Sequence, residues 1–193
     1  MEQNSQQHKE ALNVQIREAF GRVVYTYTTH LKKAEQLTTR NKRIKLCQIV
    51  LSAISTGGII SAAITNEVAL TWIGGSVSTV LLGLNLYFKD YNLNDEIGKH
   101  RSTADDLWLV REQYVSLLTD LATLPVEAIM AKRDELQVRT SEIYKKSLQT
   151  YAKSYKAAQN ALKYEEEQYF EPSELDAMLP EHLRQTPKNR EQV

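Results

Sequence analysis

The sequence predicts an all-α protein in which a membrane-spanning helical hairpin continues into a long cytosolic helical bundle with a third, returning helix. Three observations predict this class. The stretches 46–66 and 68–88 carry no charged residue, and Glu67 alone separates them. The chain holds only 7 Gly and 4 Pro in 193 residues, which favours long helices over turns. The segments on both sides repeat apolar residues at three- and four-residue spacing, which is typical of amphipathic helices.

The two uncharged stretches predict a two-span transmembrane hairpin over 46–88, with an outside turn at 65–67. A helix of about 21 residues rises about 31 Å, which matches the hydrocarbon thickness of a bilayer. The alternative is a buried hairpin in a soluble protein. We favour the membrane because the rest of the chain is too polar to enclose two such helices.

Basic residues predict the orientation of the hairpin, because lysine and arginine accumulate on the cytoplasmic side of membrane proteins. The turn Thr65-Asn66-Glu67 has none, whereas Lys89, Lys99 and Arg101 follow the second span. A further basic cluster, expected also to contact anionic lipid head groups, precedes the first span: Arg40, Lys42, Arg43 and Lys45. We therefore expect a multi-pass membrane protein with both termini cytoplasmic.

Small residues recur every four positions on both spans and predict how the spans pack, since such stripes let membrane helices approach closely. The stripe residues are Ala53, Gly57 and Ser61 on the first span and Thr71, Gly75, Thr79 and Gly83 on the second. If the chain reverses at residue 66, Gly57 lies at the depth of Gly75. We expect the stripes to meet within the hairpin; the alternative is that one stripe drives oligomerisation.

Polar residues form a separate set within the spans and are candidates for the lining of an oligomeric pore, because polar groups in membranes usually face a cavity or a partner. The candidates are Gln48, Ser52, Ser55, Thr56 and Asn85. Gln48 and Asn85 are expected at the same depth. The simpler interpretation, which we favour, is a hydrogen bond between these two side chains or to a neighbouring subunit.

The segments outside the membrane predict three further regions. Residues 1–45 form a cytosolic N-terminal helix, and residues 89–164 form a cytosolic helical hairpin broken at Pro125, because proline disfavours helix in the residue before it. We expect the helix after Pro125 to run to about Lys163. Residues 165–193 form an acidic and polar tail with a short helix. His30 and His100 are expected at similar depth, as an ordinary polar contact or a proton-sensitive pair.

The sequence offers no sign of an enzyme. It contains no phosphate-binding glycine loop, no zinc-protease motif and no nucleophile elbow, so no catalytic residue, cofactor or metal site is expected. The single cysteine, Cys47, excludes an internal disulfide. A formal net charge of zero gives no indication of nucleic-acid binding.

Taken in order along the chain, these features resemble the SLATT family, the two-span effector domains encoded beside nucleotide-second-messenger synthases and sensor genes in bacterial conflict systems. The resemblance covers roughly residues 10–180. The residues that carry it before the first span are Tyr25, Tyr27, His30, Ala34, Leu37 and Arg40. Those after the second span are His100, Ala104, Leu107, Trp108 and Tyr114, followed by the long helix after Pro125 and Leu179-Pro180.

The resemblance implies a membrane effector of antiphage defence that forms a homo-oligomer and forms or disrupts a pore in the inner membrane on activation. It also implies a partner, a sensor or nucleotide-second-messenger synthase encoded nearby. Because the chain has no recognisable nucleotide-sensing domain, activation would come from a separate protein or from direct ligand binding to the bundle. The alternative function is a membrane anchor or scaffold without a pore. A uniporter-type cation channel is disfavoured, because Thr65-Asn66-Glu67 lacks an acidic, proline-containing filter.

Overall fold

The computed structural model describes residues 2–65, 67–89 and 92–185, with side chains from residue 5 onward. Six α-helices follow one another, and no strand occurs in these ranges, which confirms the predicted all-α class. The helices are α1 (Glu2–Thr65), α2 (Val68–Lys89), α3 (Leu93–Asp120), α4 (Val126–Lys146), α5 (Ala152–Lys163) and α6 (Pro172–Met178), and a 3₁₀ turn covers Glu181–Leu183.

Helix α1 joins the helical bundle to the membrane hairpin without a break. Its 64 residues correspond to a length of about 96 Å. The part before the basic cluster buries a conventional amphipathic face, with Leu12, Ile16 and Val23 at most 3% exposed. The part after the cluster exposes large apolar side chains such as Ile49 and Ile64. One helix therefore has a water-adapted half and a lipid-adapted half.

Helices α1 and α2 are both long and apolar enough to cross a membrane. Only 6% of the residues in the most apolar window of each are buried inside the protein. The core of a soluble protein would be mostly buried, so this exposure argues against the alternative of a soluble hairpin. Helix α1 ends at Thr65 and α2 begins at Val68, with Glu67 exposed between them; Asn66, the middle of the predicted turn, lies outside the described residues.

The core of the bundle outside the spans lies where α1, α3 and α4 meet. Each helix contributes side chains that are almost fully buried: Leu12, Ile16, Val23, Leu107, Val110, Tyr114, Ile129 and Leu136. A second, smaller cluster near the membrane joins Ala34 and Leu37 of α1 to Leu93 and Ile97 of α3. Together the clusters hold α1 and α3 side by side along the bundle, which continues the pairing of the two membrane spans.

The chain after the second span departs from the prediction at one point. The break before Pro125 is present, because α3 ends at Asp120 and α4 begins at Val126. The single helix expected from there to about Lys163 is wrong, because residues 147–151 separate α4 from α5. The chain thereby passes from α3, the main neighbour of α4, to α1, against which α5 packs.

The new helix start at α5 is stabilised locally. The backbone N–H of Tyr151 lies 3.4 Å from Ser154 Oγ, and Ser154 Oγ donates to the Tyr151 carbonyl oxygen at 2.9 Å. This arrangement resembles a capping box, in which a side chain replaces hydrogen bonds that the helix lacks at its first turn.

Candidate functional site

The two spans approach each other most closely where Ser55 and Gly58 of α1 face Gly74 and Ser78 of α2. A Cβ atom added at Gly58 would lie 3.4 Å from the Gly74 Cα, and one added at Gly74 would lie 3.3 Å from the Ser55 carbonyl oxygen. Ser55 Oγ lies 3.0 Å from Ser78 Oγ and 3.3 Å from the Gly74 carbonyl oxygen. A Cβ atom at Gly74 would thus be closer than ordinary contact, whereas one at Gly58 would just reach van der Waals distance. A larger side chain on either residue would force the helices apart.

The predicted stripes do not make this contact. A Cβ atom added at Gly57, Gly75 or Gly83 would meet nothing within 4 Å. The other four stripe residues are also exposed: Ala53, Ser61, Thr71 and Thr79. The prediction that these residues pack the hairpin together is wrong for the single chain: the stripe glycines lie on its outer faces, and Ala53 lines a groove alongside the spans.

The physical reason is that hydroxyl and amide groups compete with small side chains for the protected face. In hydrocarbon an unpaired polar group costs several kcal/mol, so the spans rotate to pair their polar residues with one another. Ser55, Gly58 and Ala62 also follow a three-then-four spacing. This spacing averages about 3.5 residues and keeps two helices in contact along their length.

Away from the turn, the spans enclose a groove of about 690 Å³. Four of the five candidate pore-lining residues lie on its wall: Gln48, Ser52, Thr56 and Asn85. Lys45 lies at the same groove, together with the apolar residues Ile49, Ala53 and Leu81. The structure therefore gathers most of the predicted polar set into one concave surface on the hairpin.

Ser55, the fifth candidate, lies elsewhere. It is 5% exposed and its hydroxyl is used in the contact with Ser78, so it holds the spans together rather than lining the groove. Inside the groove, Gln48 Nε2 donates to Asn85 Oδ1 at 2.9 Å. This confirms the simpler interpretation of that pair. Ser52 and Thr56 have no side-chain hydrogen-bond partner in the described part of the chain.

The basic cluster next to the first span is fully available to a ligand. Arg40, Lys42, Arg43 and Lys45 are all exposed, and none pairs with a carboxylate among the described residues. Lys33, earlier in α1, differs from this cluster. It is half-buried, and its Nζ atom lies 3.6 Å from Glu96 Oε1. The exposed cluster remains predicted to contact anionic lipid head groups.

His30 and His100 meet below the membrane hairpin, as their predicted depths indicate. Their Nδ1 atoms lie 2.9 Å apart, and both side chains are buried. Desolvation by burial, and then the charge of its partner His100, lower the pKa of His30 to about 4. Burial and then Lys33 also lower the pKa of His100. Both rings are therefore neutral at physiological pH, with one Nδ1–H donating to the other ring.

The contact between Lys32 and Glu167 is not predicted by any pattern in the sequence. After α5 the chain turns through Glu166 and Gln168, which have φ values of 53° and 76°. The turn brings Glu167 Oε1 to 2.5 Å from Lys32 Nζ. The hydrogen bond to Glu167 is the main cause that raises the Lys32 pKa. The two residues are 135 positions apart, so no local pattern in the sequence reports their pairing.

One comparison with known proteins identifies the family. The profile described as SMODS and SLOG-associating 2TM effector domain family 4 matches residues 12–174. No curated protein and no solved structure gives a significant match to the chain. The matched range includes both spans, the groove between them and the helices of the bundle through α5. The chain therefore belongs to the SLATT family of two-transmembrane effector domains, as its sequence features predict.

Proposed function

We propose that this protein is the membrane effector of a bacterial antiphage system, and that its activated copies assemble in the inner membrane and permeabilise it. The observation that carries this proposal is the groove between the spans. A concave surface with Gln48, Ser52, Thr56 and Asn85 on its wall is unfavourable against lipid, because hydrocarbon offers no hydrogen bonds. Either protein or water has to cover it.

Two spans alone cannot enclose a water-filled channel, so a pore requires several copies around a common axis. The outer stripes supply a surface for such an assembly. Gly57 and Gly75 are exposed, with open space around them. Small residues of this kind support close helix contacts between membrane proteins. In such a ring the grooves of neighbouring copies line the passage, with the unpaired hydroxyls of Ser52 and Thr56 facing water.

The experiment is dye release from liposomes that contain the purified full-length protein. Ser52→Leu and Thr56→Leu replace the groove hydroxyls with apolar side chains that lipid solvates well. Ser76→Leu is the matched control, because Ser76 is an exposed serine of α2 outside the groove. We expect all variants to insert and fold, and only the groove variants to lose dye release. Equal release by the wild type and both groove variants would contradict a water-filled groove.

A second candidate function is a membrane anchor that recruits a cytosolic partner. It is favoured by the segment after α5, whose large apolar side chains are exposed: Tyr164, Tyr169, Phe170, Leu175, Met178 and Leu183. An anchor needs the spans only as attachment. Replacing residues 46–88 by an unrelated two-span hairpin should then preserve activity, and loss of activity in a chimera that still inserts counts against the anchor.

A further inference from the structure

A cavity unrelated to the membrane groove lies in the cytosolic bundle, where α1, α3 and α4 meet. Its volume is about 470 Å³, which is within the range of pockets that hold small organic molecules, about 300–1,000 Å³. It opens between α1 and α4. The bundle therefore has room for a small ligand at the junction of these two helices.

The floor of the cavity is apolar and rigid. Val23 and Tyr114 are each 1% exposed, and Ala19 is 6% exposed. Tyr114 is hydrogen-bonded to Thr140, and burial raises its pKa, so the phenol stays protonated. A ligand in this cavity would replace water over apolar surface, which favours a ligand with an apolar body.

The rim of the cavity is polar and positively charged. Arg22 comes from α1, and Gln137, Ser141 and Lys145 come from α4. Among the residues that the structure describes, no carboxylate lines the cavity. Arg22 uses Nη1 to bind Glu18 at 2.7 Å, which leaves most of its five N–H donors available. Lys145 has no ion-pair partner in the described part of the chain. One cation from α1 and one from α4 thus line the same cavity.

Tyr144 forms the side wall of the cavity between its apolar floor and its basic rim. Its hydroxyl lies 3.1 Å from Thr26 Oγ1, which itself donates to the Arg22 carbonyl oxygen at 2.9 Å. These bonds fix the ring at the junction of α4 with α1. A flat group entering the cavity would pack against a preorganised aromatic face.

We propose that this cavity binds a small organic anion with a flat apolar body, the body against Val23 and Tyr144 and the anionic group at Arg22, with Lys145 beside it at the rim. Such a ligand bridges α4 to α1, the helix that continues without a break into the membrane. The site provides a route for direct ligand control of the bundle. It does not depend on pore formation.

The test uses pyridoxal 5′-phosphate, an aromatic phosphate, as the probe on the full-length protein in detergent. Its aldehyde condenses with a neutral lysine amine with loss of water, and borohydride then supplies the hydride that reduces the imine to a stable secondary amine. Mass spectrometry locates the label. We expect Lys145 to be labelled several-fold faster than Lys146, the adjacent exposed lysine, which lies outside this cavity. Pyridoxal, which lacks the phosphate, should show no such preference.

Three variants separate the cavity from the reactivity of a surface lysine. Ser141→Trp fills the cavity from an exposed position, and Arg22→Gln removes one of the two cations; both should abolish the preference for Lys145. Val138→Trp adds the same ring to α4 at a residue that is 61% exposed and outside the cavity, and it should change nothing. Equal labelling of Lys145 and Lys146 in the wild type, or an undiminished preference in Arg22→Gln, would overturn the proposal. Dye release is not measured here, so the outcome leaves the proposed membrane activity untouched.

Discussion

At the scale of single residues, the His30–His100 pair shows how the bundle tolerates buried imidazoles. A neutral imidazole has one donor and one acceptor nitrogen, so two neutral rings satisfy each other across the 2.9 Å between their Nδ1 atoms. A second proton would leave two donors facing each other. His100 Nε2 is buried without a hydrogen-bond partner and lies 3.8 Å from Glu96 Oε1. The contact of α1 with α3 is therefore most stable with both rings neutral. A proton on either ring places a charge in a buried site, and a proton on each ring leaves two donors facing each other instead of the hydrogen bond.

The lowered pKa values predict that acid weakens the bundle. Because both histidines titrate lower when folded than when unfolded, the unfolded chain binds more protons between pH 6.5 and about 4. The free energy of unfolding should be highest above pH 6.5 and should fall by up to about 1.4 kcal/mol per pH unit for each proton taken up.

The measurement is thermal unfolding of the full-length protein in detergent between pH 7.5 and 4.5. The double variant His30→Asn and His100→Asn keeps amide hydrogen bonding but does not titrate in this range. Its melting temperature should depend less on pH than that of the wild type. Equal pH dependence of the two proteins would show that the pair does not respond to protons.

The glycines of the spans allow a matched comparison, because neighbouring glycines have opposite surroundings. Gly58→Leu and Gly74→Leu place a side chain between the spans, whereas Gly57→Leu and Gly75→Leu place one in open space. The reporter is a disulfide between Ser55→Cys and Ser78→Cys, whose Oγ atoms are 3.0 Å apart, in a Cys47→Ala background. Only the first two leucine variants should reduce its formation. A loss of the disulfide in Gly57→Leu would restore the stripe as the packing face of the hairpin.

At the scale of elements, α5 is held to α1 by small residues and by one ion pair. Ala158 and Ala161 are fully buried, and the rings of Tyr155 and Tyr25 stack with centroids 5.8 Å apart. Lys32 and Glu167 close the end of this contact. Their side chains are 18% and 39% exposed, so water screens the pair only in part.

Removing the ion pair should loosen the C-terminal segment without unfolding the bundle. We expect Glu167→Gln to destabilise this contact by about 1 kcal/mol or less, because an amide keeps the shape but loses the charge. Hydrogen exchange of the α5 amides, followed by mass spectrometry, measures the change. Glu181→Gln is the control, since Glu181 is exposed and has no ion pair in the described part of the chain. Identical exchange in all three proteins would show that the pair contributes nothing.

The elements also show which features the sequence predicts well. The position of the turn and the break at Pro125 follow from charge and proline chemistry, which act locally. The rotation of each span about its own axis does not follow from the sequence, because two stripes of small residues and one polar line compete for the same interface. Residues 147–151, which separate α4 from α5, contain no Gly or Pro that would predict the end of a helix. The interruption results from the packing of α5 on α1, and only Ser154, as a helix-start residue, gives a local signal.

At the scale of the whole molecule, α1 connects every proposed site. It carries Arg22 of the cavity in the bundle, His30, the exposed basic cluster and the groove residues Ser52 and Thr56. A helix of this length transmits rotation and tilt better than a jointed linker, because each turn is held by backbone hydrogen bonds. A change in how α3, α4 or α5 packs on α1 therefore reaches the membrane spans through one rigid element.

Membrane potential is the most direct measure of whether activation opens the membrane through the groove. The protein is expressed with its neighbouring genes, and cells carrying a voltage-sensitive dye are challenged with phage. We predict depolarisation of infected cells with the wild type and Ser76→Leu, and a polarised membrane without protection for Ser52→Leu combined with Thr56→Leu. Full protection by the wild type with an unchanged membrane potential would contradict the opening of the membrane on activation.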